Sequence, residues 1–117
     1  MTGEPLGLAH ALAEALAEKK GEDILVLDLI GVCSFADYFV LATGVSERTL
    51  QALADDVLRK FKGVARTGRA PAEGNAGSGW ILLDFGSVIV HLLSSTQRKY
   101  YQLEELWREG RVVLRIA

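Results

Sequence analysis

The stretch "DFGSVIVHLLSSTQRKYYQLEELW", beginning at Asp84, places one histidine in an aliphatic run and follows it with a basic, aromatic segment. A histidine that acts as a general base needs an orienting acid and a nucleophile within hydrogen-bond reach. Asp84 lies seven residues from His91 along the hairpin, too far for direct contact, and Cys33 and the serines have no spacing that ties them to it. His91 therefore reads as a structural or interface residue. The carboxylates offer little more. Asp23, Asp28, Asp37 and Asp84 stand at strand edges without a D-x-D pair or a calcium-loop spacing, which favours capping and turn roles. Asp55 and Asp56 are adjacent on a helix and point apart, which suits shared metal ligation poorly.

The glycine motifs mislead. "GNAGSG" opens a strand rather than a helix, unlike a dinucleotide fingerprint. "DFG" lacks the glycine-rich loop, lysine and H-R-D segment of a kinase. "GVSER" could seat a phosphate on a helix N-terminus with Arg48, but Ser46 as a plain N-cap explains it as well. Five Lys/Arg without an acid, from Arg59 to Arg69, form the one basic run. In a chain of net charge −2 that run reads first as a solvated helix end, with nucleic-acid contact at the rim of a larger surface as the alternative to it.

These residues must be held by a small scaffold. The 117 residues suffice for one domain spanning 1–117, with a core that needs no disulfide or metal. The lone cysteine, Cys33, fits a reducing cytoplasm, and no apolar run approaches the length of a membrane span. Ala9, Leu12, Ala13, Leu16 and Ala17 share one face of a first helix. "DILVLDL" and "DYFVLATG" read as strands, and Leu50 to Phe61 as the stripe of a second helix capped by Ser46. "VARTGR" reads as a short strand and "APAEGNAGSG" as loop. A hairpin follows, then a third helix capped by Ser95 or Thr96 and running through Trp107, with Tyr100, Leu103, Leu106 and Trp107 inward. The tail "RVVLRIA" reads as an edge strand. This order predicts a single α/β domain with about five strands in one mixed sheet and three flanking helices.

With Phe85 and Gly86 as a two-residue loop, Leu82 faces Ile89 and Trp80 faces His91. One sheet face then carries Trp80, Leu82, Ile89, His91 and Leu93, and the other Ile81, Leu83, Phe85, Val88, Val90 and Leu92. The first is the expected partner surface, with Tyr38, Arg98 and Tyr101 as further contacts.

Four segments, "KKGEDILVLDL", "FADYFVLATGVSER", "PAEGNAGSGWILLDFGSVIVHLL" and "RKYYQLEELW", in order from Lys19 to Trp107, resemble the ribosomal silencing factor (Iojap-related) family. The resemblance implies a nucleotidyltransferase-like topology without the catalytic acids, because Gly44-Val45-Ser46 leads into a helix and no acid pair follows on a strand. It further implies a cytoplasmic, commonly homodimeric protein that is not an enzyme, needs no cofactor and binds no membrane. Its partner would be the large ribosomal subunit, met through ribosomal protein fourteen, so that subunit joining is blocked and translation repressed when nutrients are short. The positions matching the family's motifs are Asp37, Tyr38, Gly44, Ser46, Arg48, Glu73, Gly74, Trp80, Asp84, His91, Arg98, Tyr101, Leu103, Glu104 and Trp107. The rival reading is a nucleotide-binding enzyme using Ser46, Arg48 and a strand-edge aspartate.

Overall fold

A computed structural model describes residues 4–64 and 72–116. The chain forms α1 (Pro5–Glu18), β1 (Glu22–Asp28), β2 (Tyr38–Gly44), α2 (Glu47–Lys60), β3 (Ala72–Asn75), a 3₁₀ turn (Ala76–Ser78), β4 (Trp80–Asp84), β5 (Val88–Ser94), α3 (Ser95–Tyr101), α4 (Leu103–Leu106) and β6 (Arg111–Ile116). The strands make one mixed sheet in the order β3-β4-β5-β2-β1-β6. Among the described residues only β2 and β5 pair in parallel, with Tyr38 opposite Val88 and Gly44 opposite Ser94. They occupy the middle of the sheet, and all seven residues of β2 are buried. A run as apolar as "YFVLA" suits a strand with both faces covered.

The covering is uneven. On one face α1 and α2 lie side by side over Ile24, Val26, Val40, Ala42, Leu83, Val90 and Leu92. Pro5 starts α1 in its first turn, where a missing N–H costs nothing. Ser46 caps α2 by accepting from the Thr49 N–H at 3.1 Å. The other face carries Leu25, Leu27, Phe39, Leu41, Ile89 and Leu93 under a thinner cover, the 29–37 loop with Leu103 and Trp107 of the C-terminal helical segment.

Several expectations change, and one lies outside the described residues. Among the described residues the sheet has six strands, because Ala72–Asn75, read as loop, pairs antiparallel with β4 from Ala72–Leu83 to Asn75–Trp80. Glu-Gly-Asn is poor strand sequence, but backbone pairing with β4 overrides propensity. Gly74 takes φ +79°, and a Cβ there would collide with the carbonyl oxygen of Trp80. The expected strand "VARTGR" lies, beyond Val64, outside the described residues. The hairpin pairs Leu82 with His91 and Trp80 with Leu93, a slide of two residues from the expected register. Its loop is Gly86-Ser87, because glycine at φ +88° fills the first central position, where Phe85 would be strained. An even slide leaves both faces with the residues expected of them.

The third helix divides. Ser94, rather than Ser95 or Thr96, caps α3 by accepting from the Gln97 N–H. Gln102 at φ +47° then breaks the helix before α4. Tyr100, at the end of α3, and Leu106, beyond the break, were expected inward and are instead 77 % and 70 % exposed.

Candidate partner-binding face

Two half-buried side chains, Trp80 and Leu82, project from β4 on the thinly covered face, and α3 brings Tyr101 against them. The Trp80 and Tyr101 ring centroids are 4.8 Å apart, and Tyr100 packs edge-on to Tyr101 at 4.9 Å. Beneath them Trp80 donates from Nε1 to His91 Nδ1 at 3.2 Å. The His91 ring lies 4.5 Å from Phe39, which in turn contacts Trp107 at 5.7 Å. Phe35, on the 29–37 loop, closes the row against Trp107 at 6.1 Å. Aromatic groups thus run without interruption from exposed Tyr100 through the buried layer to exposed Phe35.

His91 was expected on the exposed surface and is instead 5 % exposed. Leu82 and Trp80 flank it in the sheet and Phe39 closes over its ring, so it supports the face from below. Burial lowers its pKa to about 4, which keeps the imidazole neutral near pH 7. Because Nδ1 accepts from Trp80, the ring proton sits on Nε2, which is buried without a partner among the described residues. Tyr38 belongs to the opposite face, buried under α1, and cannot serve as a surface contact. Burial, then the charges of Asp28 and Asp37, raise its phenol pKa.

Arg98, expected to reach a partner, turns inward. Its Nη1 donates to Thr43 Oγ1 at 2.9 Å and its Nε to Glu104 Oε2 at 3.4 Å. Leu103 is the one buried residue of α4, and Trp107 is half-buried beside it. Asp37 joins the sheet through its backbone, donating to the Ser87 carbonyl and accepting from Leu29 N–H, both at 2.8 Å. Asp84 is buried and accepts from the Gly86 N–H at 2.8 Å, a turn role. Gly44 lies where a Cβ would press on the Leu50 side chain. Glu73 is exposed on the edge strand β3.

The features proposed for phosphate chemistry are not assembled together. Ser46 Oγ is engaged by Thr49 N and Oγ1 at 3.1 and 3.0 Å, and Arg48 is exposed. Asp56 is buried and paired with Arg59 at 2.6 Å and Lys60 at 3.3 Å, while Asp55 faces solvent with Gln51. The first part of the basic run is thus partly neutralised, and Arg66 and Arg69 lie outside the described residues. Among the described residues no group of three or more His, Cys, Asp or Glu could hold a metal ion. No helix among them is long and apolar enough to cross a membrane.

Three contributors to the exposed surface, Phe35, Tyr100 and Leu106, were missed. Phe35 carries no periodic signal, standing in an irregular loop, and Leu106 was assigned inward by a helical period that Gln102 interrupts. Two shallow grooves border the face. Glu73, Gly74 and Ser78 line one with Trp80 and Leu82, and Val32, Glu105, Leu106, Arg108 and Glu109 line the other with Trp107. These two grooves hold three carboxylates and one guanidinium, and Lys99 lines a third groove beside Tyr100.

The chain is thus an α/β domain with one mixed sheet, two helices packed on one face and an aromatic row on the other. Its sequence matches the family described as "Ribosomal silencing factor during starvation" over residues 3–116, and the chain belongs to that family. It is 39 % identical over 101 residues to ribosomal silencing factor RsfS of Bacillus subtilis, covering 84 % of this chain and 82 % of that protein. It is 31 % identical over 98 residues to mouse "Mitochondrial assembly of ribosomal large subunit protein 1", covering 82 % of this chain and 43 % of that one. Among solved structures, a protein from Chromobacterium violaceum superposes with a TM-score of 0.82 at 37 % identity, over 90 % of this chain and 87 % of that one.

Proposed function

We propose that this protein binds the large ribosomal subunit through ribosomal protein fourteen and sterically prevents the small subunit from joining, repressing translation when nutrients are short. It works by occupying surface and carries out no bond chemistry. The observation that carries this reading is the face formed by Trp80, Leu82, Tyr100 and Tyr101, with Glu73, Glu105 and Glu109 in the bordering grooves. Large aromatics with polar handles are the usual anchors of protein interfaces. An acidic rim repels RNA phosphate and suits a basic protein surface. A standard interface takes about 800 Å² from each partner, roughly an eighth of the 6516 Å² available here. The free protein would pair with a second copy in the cytoplasm, and the Arg59–Arg69 run would at most touch ribosomal RNA at the rim.

The test is sedimentation of tagged protein with ribosomes on sucrose gradients. The protein should travel with free large subunits and be absent from joined ribosomes. Trp80→Ala should weaken that association by on the order of 2 kcal/mol while the fold persists. A folded Trp80→Ala protein that binds large subunits like the parent would overturn the reading.

A further inference from the structure

We infer that Arg98, held by Thr43, is a positioning residue that sets the shape of the partner-binding face without itself touching the partner. The inference rests on the proposed use of that face. The starting observation is that α3 buries none of its own residues. Tyr100 is 77 % and Tyr101 46 % exposed, so no apolar stripe holds this helix to the sheet. An isolated helix of seven residues is also far too short to persist in water by itself.

Polar bonds locate it instead. Gln97 Nε2 donates to the Ser78 carbonyl at 3.1 Å, tying the start of α3 to the 3₁₀ turn before β4. Arg98 makes the deeper attachment. Its side chain is only 11 % exposed, and it bonds Thr43 on central strand β2 and Glu104 on α4 at once. The planar guanidinium is suited to two acceptors in fixed directions, and an ionised donor strengthens both bonds. One side chain thereby fixes α3 against β2 and α4 against α3, across the left-handed break at Gln102. Tyr101, three residues on, projects from the same side of the helix and meets Trp80. Where Arg98 anchors, Tyr101 stands.

Thr43 makes the idea testable. It is 3 % exposed at the end of β2 and cannot reach a partner. Thr43→Val keeps the branched shape and removes the acceptor. Affinity for purified large subunits should fall about tenfold in both Thr43→Val and Arg98→Ala. Arg98→Lys, which keeps the charge but not the fork, should fall between parent and Arg98→Ala. The near-ultraviolet circular dichroism of both weakened variants should shift toward that of Tyr101→Ala, with the far-ultraviolet spectrum retained.

If Arg98→Ala weakens binding and Thr43→Val leaves affinity and spectrum at parent values, Arg98 contacts the partner directly and the positioning role is wrong. It is equally wrong if Tyr101→Ala weakens binding and neither Arg98 nor Thr43 matters. If Trp80→Ala and Tyr101→Ala bind like the parent, the partner face itself is misassigned and the positioning role in binding falls with it.

Discussion

The indole N–H of Trp80 reaches diagonally across the β4–β5 ladder to His91, whose direct opposite in register is Leu82. The bond consumes His91 Nδ1 as acceptor and so requires the imidazole to be neutral. A half-exposed aromatic is thereby oriented by a buried one.

Acid should weaken the fold through His91. Its folded pKa, about 4, lies below the 6.5 of an unperturbed histidine, so below pH 6.5 the unfolded chain binds the extra proton. This contribution is complete above about pH 6.5 and is lost as pH falls toward 4. Between pH 7 and pH 5 the loss should be about 2 kcal/mol. Urea unfolding of the parent and of His91→Leu at the two pH values measures it, since the variant should lack this part of the pH dependence.

Gly74→Ala should destabilise the edge of the sheet. Its φ of +79° costs an L-residue about 1–2 kcal/mol, and the added methyl meets the Trp80 carbonyl. The expected result is a lower thermal midpoint and faster amide exchange in β3 and β4, with α1 exchange unchanged. A midpoint equal to the parent's would show that β3 does not hold this backbone in solution.

Ser46→Ala separates capping from phosphate binding. Loss of the cap on α2 should cost about 1 kcal/mol in unfolding free energy and leave binding to large subunits intact. Calorimetric titration of the parent with a nucleoside triphosphate and Mg²⁺ should give no binding heat. Saturable heat abolished by Ser46→Ala would restore the nucleotide-handling reading.

Charge reversal should tune association with a basic partner. Glu73→Lys and Glu105→Lys, both at exposed positions, should slow association with large subunits several-fold at low salt, and the difference should shrink as salt rises. Faster association in these variants would point to RNA phosphate as the surface being met.

Sequence logic reached most of the scaffold because its signals are periodic. The α2 stripe, the Ser46 cap and the alternation of β4 and β5 all state which side is inward, and that parity survived an incorrect hairpin register. Non-periodic features stayed hidden. Gln102 adopts a left-handed conformation that composition does not announce, and it interrupts the helical period on which Leu106 was assigned inward. Nothing in "AEGN" marks a strand, since its pairing depends on β4 being alongside. For the site, Trp80, Leu82 and Tyr101 were legible as large apolar groups on the less covered face. The inward turns of His91 and Arg98 were not, because each depends on a distant acceptor or donor that only the assembled sheet supplies.

The parallel pairing of β2 with β5 also carries a kinetic implication. The segment that completes the centre is separated from its neighbour by α2 and the whole β3–β4 excursion. During synthesis, a nascent chain ending after α2 would present Tyr38–Gly44 as an unpaired, largely apolar edge until Val88–Ser94 emerged. Such an edge invites pairing with other chains, so the first half of this protein should aggregate when made alone.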